Sequence, residues 1–125
     1  MKSNTCILIP ARMASSRFPG KPLAPIEGIP MVVYCAKNAK QTGLDVFVCT
    51  DSKEINSVCN LYNINSILTP EFQTGTDRIA WASKSINAKI IINLQGDEPL
   101  ITPDSLNIFI SSLSELTDDD NLIII

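Results

Sequence analysis

At 125 residues the chain is long enough for one domain with a real hydrophobic core and too short to be expected to form two. Its formal net charge of −3, from 10 Lys+Arg against 13 Asp+Glu, gives no electrostatic footprint for nucleic acid or an anionic membrane surface. The composition, 45% hydrophobic and 18% charged, is that of a globular protein, and no apolar run reaches transmembrane length.

Two further absences narrow the chemistry. There is no histidine, and Cys6, Cys35, Cys49 and Cys59 form no C-x-x-C pair. Zinc-site spacing, a Cys/His nucleophile and a Ser-His-Asp triad are therefore excluded. The cysteines read as buried thiols, and any hard cation must sit on oxygen ligands. The opening Met-Lys-Ser-Asn-Thr runs directly into an apolar segment without the h-region of a secretory signal, so a cytoplasmic protein is expected.

In chain order, Cys6 to Ile9 reads as a strand that Pro10 ends, because proline cannot donate to the ladder. The loop that follows carries Arg12, Arg17 and Lys21 among small and turn-forming residues. Such a loop lets backbone N–H groups approach a ligand while guanidinium groups and a lysine neutralise a polyphosphate. A loop whose cations simply face water is the alternative. It is not a P-loop, since Ser15 stands where the first glycine would be needed and Pro22 follows Lys21.

Ile26 to Pro30 reads as a turn, with Pro30 in the first turn of a helix running to about Thr42 and Gly43 capping it. Met31, Val32, Val33, Tyr34, Ala36 and Ala39 supply its apolar face. Asp45 to Thr50 is a strand suited to burial on both faces. Asp51 and Ser52 offer N-caps for a helix from Lys53 to Tyr62, in which Ile55, Val58, Cys59 and Tyr62 recur at helical spacing. Ile64 to Leu68 is a third strand. A loop from Thr69 to Gly75 precedes a helix capped by Thr76 or Asp77, with Trp81 in the core.

Lys89 to Leu94 is the fourth strand, and it delivers Gln95-Gly96-Asp97-Glu98-Pro99 at its end. A helix beginning at Pro103-Asp104-Ser105 and an acidic loop from Thr117 to Asp120 follow. Leu122 to Ile125 starts a fifth strand and stops within it, as expected of a truncated chain. This alternation predicts an α/β fold with a doubly wound, mostly parallel sheet and right-handed crossovers.

Two further segments carry polar chemistry. Gln73-Thr74-Gly75-Thr76-Asp77-Arg78 puts helix N-terminal donors and Arg78 where they could read carbonyls on a base or an acceptor, although a plain capped helix would look the same. Gln95 to Pro99 sets Asp97 at a strand end, where it could hold Mg²⁺ against substrate phosphates or form only a β-turn.

The loop Pro10 to Leu23 (P-A-R-x-x-S-S-R-F-P-G-K-P-L), the segment Thr74 to Arg78 (T-G-T-D-R) and the segment Asn93 to Ile101 (N-L-Q-G-D-E-P-L-I) stand in this order. Together they resemble three signatures of the 3-deoxy-manno-octulosonate (KDO) cytidylyltransferases, or CMP-KDO synthetases. The spore-coat-like cytidylyltransferases lack the second segment, and the sialic-acid cytidylyltransferases differ in the first. The resemblance covers nearly the whole chain. It implies a Rossmann-like nucleotidyltransferase fold, with residues 1–125 as its CTP-binding part. The implied enzyme transfers CMP from CTP to KDO, releasing pyrophosphate, in lipopolysaccharide or capsule biosynthesis. Alternatives are another acidic or amino-substituted ulosonic acid as acceptor, or an inactive CTP-binding fragment.

The resemblance also implies roles. Arg12 and Lys21 would act on the triphosphate, with Arg17 nearby. Asp97 would ligate Mg²⁺, Gln95 would contact ribose or substrate, and Gln73, Thr74 and Arg78 would contribute to cytosine or sugar recognition. Partners would be CTP, an acidic 3-deoxy sugar and, for the full-length enzyme, a second copy of itself. This sequence departs from the pattern at Phe72, where many members have histidine, and at Ile29, where lysine is common. The family is about twice this length, the remainder supplying acceptor contacts, the dimer surface and a second metal-binding aspartate.

Overall fold

The central strand, β1 (Thr5–Ala11), is buried along nearly its whole length, and its side chains alternate between two cores. Ile7, Ile9 and Ala11 point to one face of the sheet, while Cys6 and Leu8 point to the other. The structure, a computed structural model, describes residues 5–13 and 20–94 together with 104, 108, 123 and 124. Among these, β1, β4 (Asp45–Thr50), β5 (Ser66–Leu68), β6 (Ile90–Asn93) and β7 (Ile123–Ile124) form one sheet in the order β5-β4-β1-β6-β7. Every pair in it is parallel. The remaining strands, β2 (Pro25–Ile26) and β3 (Ile29–Pro30), make a separate antiparallel hairpin.

This is the doubly wound sheet expected from the alternation of elements. Helices α1 (Met31–Lys40) and α2 (Lys53–Leu61) cover the face lined by Ile7, Ile9, Val46 and Val48. Helix α3 (Gly75–Ser83) covers the opposite face through Ile79 and Ala82, against Cys6, Leu8, Cys49 and Ile91. The chain runs outward from β1 through β4 to β5, then returns to place β6 on the other side of β1. The strand order therefore reverses between β1 and β6, and in open α/β sheets ligands bind in the crevice at the carboxyl ends of those strands.

Several local expectations need correction. β1 does not stop at Ile9 but continues through Pro10 and Ala11, paired with Cys49 and Thr50 of β4. The Leu8 carbonyl accepts from Leu94 N at 3.0 Å on the β6 side. In a parallel strand residues two apart face the same neighbour, so the missing N–H of Pro10 faces the side where pairing with β6 has already ended at Leu8. The expected turn at Ile26–Pro30 is a two-residue hairpin, with Glu27 at φ 52° and Gly28 at φ 81°. Pro30 is the N-cap of α1 rather than its first helical residue, and Thr74, not Thr76 or Asp77, caps α3.

Trp81 is 38% exposed rather than in the core, its ring 6.5 Å from that of Phe72. Of the next expected helix, Asp104 and Ile108 are helical, and Ile108 is exposed. The expected fifth strand is present as β7, paired with Ile90 and Ile91. The acidic loop from Thr117 to Asp120 lies outside the described residues. Among the described residues, no helix is long and apolar enough to cross a membrane.

Candidate functional site

Arg12 follows the last residue of β1, at the carboxyl end of the sheet, with its side chain exposed. One residue on, the Met13 carbonyl accepts from Gly20 N at 2.9 Å. That bond draws the two ends of the first loop together. Gly20 has φ 78°, a left-handed conformation that favours glycine, and it turns the chain directly into a 3-10 turn at Lys21–Leu23. Lys21 thus returns to the end of β1 that bears Arg12, although six residues of sequence lie between Met13 and Gly20. Arg17 lies outside the described residues, within that loop.

The second sequence segment closes over the same end of the sheet. Thr69 N donates to the Thr50 carbonyl at 2.8 Å, which carries the chain from β5 across the end of β4. The Gln73 carbonyl accepts from Arg12 Nη1 at 3.4 Å. Thr74 caps α3, its hydroxyl accepting from Asp77 N at 3.1 Å. Gly75 then lets the helix start close to β1, because a Cβ there would lie 3.2 Å from Pro10 Cγ. Arg12, Asp51, Glu71, Phe72 and Gln73 line a cavity of about 410 Å³.

The Gln73 carbonyl therefore lies beside Arg12, with Thr74 next in the chain. Arg78 does not present its guanidinium to solvent or line that cavity. It is 1% exposed, its Nε donating to Thr69 Oγ1 at 3.0 Å. Its Nη2 lies 3.3 Å from Asp51 Oδ2, a Coulombic contact without hydrogen-bond geometry. The physical reason is helical spacing, because Arg78 shares the inward stripe of α3 with Ile79, Ala82 and Ser83. In this arrangement Arg78 braces the loop from within.

In the sequence Asp51 reads only as a possible helix cap, and Thr69 carries no evident role. Ser52 performs the capping, accepting from Ile55 N at 3.2 Å, which leaves the Asp51 carboxylate for Arg78. The signal was present in the sequence as an arginine in phase with apolar helix positions, which requires a buried acceptor and a nearby carboxylate.

The third segment begins where β6 ends. Leu94 is hydrogen-bonded to Leu8, beside β1 at the point of strand reversal. Gln95 and Asp97 follow in sequence and lie outside the described residues. Among the described residues no three of His, Cys, Asp and Glu gather as a metal cluster.

The four cysteines are buried and form no disulfide. Burial pushes the Cys6 thiol up to about 12, assisted by the negative charge of Asp45. Burial also raises Cys49 to about 12, with Cys6 adding to the shift and Arg78 opposing it. Neither Cys6 nor Cys49 is poised as a nucleophile, which needs a lowered thiol pKa.

The arrangement offers the exposed Arg12, the partly buried Lys21 and a cavity at the strand-reversal point, and similar proteins carry the same architecture. A 3-deoxy-manno-octulosonate cytidylyltransferase of Chloroherpeton thalassium is 46% identical over 104 residues, spanning 81% of this chain and 42% of that protein. An 8-amino-3,8-dideoxy-manno-octulosonate cytidylyltransferase of Shewanella sp. (strain ANA-3) is 45% identical over 114 residues, spanning 86% of this chain and 46% of that protein. The solved structure of a CMP:2-keto-3-deoxy-manno-octonic acid synthetase complexed with CTP superposes with a TM-score of 0.85 at 36% identity, covering 92% of this chain and 48% of the other. The chain thus spans less than half the length of these relatives. Residues 6–122 match the cytidylyltransferase family, and on that match, with the strand order and cation-bearing loop described above, the chain belongs to it.

Proposed function

We propose that the whole protein transfers CMP from CTP to the anomeric hydroxyl of 3-deoxy-manno-octulosonate, with residues 1–125 forming the CTP-binding part. The observation that carries this reading is the meeting of Arg12, the Met13–Gly20 closure, Lys21 and the Gln73 carbonyl at the carboxyl end of β1. Cations on a closed loop suit a triphosphate, and polar backbone groups beside them suit a base or sugar. The similarity to a synthetase solved with CTP and to 3-deoxy-manno-octulosonate enzymes at about 45% identity supports the same chemistry.

In the proposed reaction the acceptor oxygen bonds to the α-phosphorus as the bond to the bridging oxygen of pyrophosphate breaks. Arg12 and Lys21 bind the phosphates and offset the charge that develops on the departing pyrophosphate, and Arg17 adds a third cation in the same loop. Gln73 lines the cavity beside Arg12, and with Thr74 it would contribute to cytosine or sugar recognition. Asp97, which follows β6 in the sequence, would hold a divalent cation, which we take to be Mg²⁺, and Gln95 would contact ribose or substrate. The donor chemistry fits, because a carboxylate is the oxygen ligand this histidine-free chain can offer. When bound, the ion supplies charge neutralisation at the phosphates. The whole protein is proposed to be a cytoplasmic homodimer serving lipopolysaccharide or capsule synthesis.

Calorimetric titration of the chain with CTP, UTP, ATP and GTP, each with and without Mg²⁺, tests the nucleotide assignment. A CTP preference strengthened by Mg²⁺ is the expected result, and equal affinity for all four would overturn it. The similarity to the 8-amino-sugar enzyme of Shewanella favours a second reading of the acceptor alone, an amino-substituted ulosonate. Turnover of the full-length protein across both acceptors separates the two.

A further inference from the structure

Arg78 is the one charged residue among the described positions that is fully buried, and each of its described partners belongs to a different segment. Asp51 follows β4, Thr69 follows β5, and Arg78 itself lies in α3. Removing a guanidinium from water is costly unless its charge is compensated, so this placement needs the partners it has. The Asp51 side chain is 22% exposed and lines the cavity alongside Arg12 and Gln73. Thr69 is anchored twice, through its N–H to Thr50 and through Oγ1, which accepts from Arg78. Four residues later the Gln73 carbonyl receives Arg12.

We propose that Asp51 is a positioning residue. Its carboxylate compensates the buried Arg78 guanidinium, Arg78 holds Thr69, and the segment 69–74 is thereby fixed so that the Gln73 carbonyl sets the direction of Arg12. The effect on nucleotide binding rests on the reading above, whereas the effect on the segment does not. Asp51→Asn keeps size and polarity but removes the charge, leaving the Arg78 guanidinium uncompensated.

Hydrogen exchange of the chain, read by mass spectrometry, should show the peptide spanning 69–74 exchanging about tenfold faster in Asp51→Asn, well beyond any change in peptides of β1 and α1. The urea midpoint should fall as the buried guanidinium loses its counter-charge, CTP affinity should fall about tenfold, and that affinity loss should shrink in an Arg12→Lys background because both changes act through one contact. Unchanged exchange at 69–74 overturns the proposal, as does faster exchange with unaltered CTP affinity or a fully additive double variant. Should Asp51→Asn fail to fold, the near-isosteric Thr69→Val reads the same segment, with faster exchange supporting the proposal and unchanged exchange overturning it. If the wild-type chain binds no CTP, the nucleotide reading fails while the exchange experiment still decides the role of Asp51.

Discussion

Arg12 and Arg78 are both arginines within sequence segments that resemble nucleotide-binding signatures, yet their surroundings give them opposite roles. Arg12 is exposed and makes a long 3.4 Å bond to the Gln73 carbonyl, which it can exchange for a stronger ionic partner. Arg12→Ala is therefore expected to weaken CTP binding at least tenfold, since a hydrogen bond to a charged group contributes about 1.5–3 kcal/mol. Its thermal midpoint should stay near that of the unaltered chain. Calorimetry with CTP and a melting curve check both, and undiminished affinity would remove Arg12 from the phosphate site. Arg78 was legible as an important residue but not as an inward-facing one until the helix was placed against the sheet. Its spacing from Ala82 carried the hint, because positions four apart share a helix face.

Among the elements, α3 depends most on its start. Thr74 supplies the cap, and Gly75 allows the first turn to lie against the Pro10 ring. Helix propensity alone argues that Gly75→Ala should stabilise. The added Cβ, however, would sit 3.2 and 3.3 Å from the Cγ and Cβ of a ring fixed in the central strand. We expect the contact to prevail and Gly75→Ala to cost about 1 kcal/mol, measured by urea unfolding. A gain in stability would show that Pro10 yields. The sequence marked Asp45–Thr50 as a strand with the observed bounds, because six consecutive residues fit burial on two faces. It misjudged Pro10, since the cost of proline depends on which neighbour its missing N–H faces, and that is set by strand order.

For the whole molecule, the buried thiols link stability to pH. Cys6 and Cys49 are raised to about 12 and Cys59 to about 11, from an ordinary value of 9.0, chiefly by burial. The folded state therefore holds these protons where the unfolded chain has lost them. Their contribution is fully present below pH 9 and is lost as pH climbs from there through 11 to 12. Urea midpoints should accordingly fall between neutral pH and about pH 10.5, and Cys59→Ala should flatten part of that fall. A midpoint that rises over this interval would contradict the burial of the thiols. The native thiols should also resist iodoacetamide near neutral pH and react once urea unfolds the chain.

The sequence by itself determined the fold class, the succession of strands and helices, and the segments that carry charge. These follow from periodicity, turn residues and composition, which act locally along the chain. It also made Arg12 and Lys21 recognisable, because a cation-bearing loop of small residues after a strand is a local pattern. Only the tertiary structure decided that β1 runs through Pro10, that Gly20 closes the first loop onto Met13, and that Arg78 faces inward to Asp51 and Thr69. Each of these depends on which distant segment becomes a neighbour, and strand order and helix packing, rather than local propensity, make that choice.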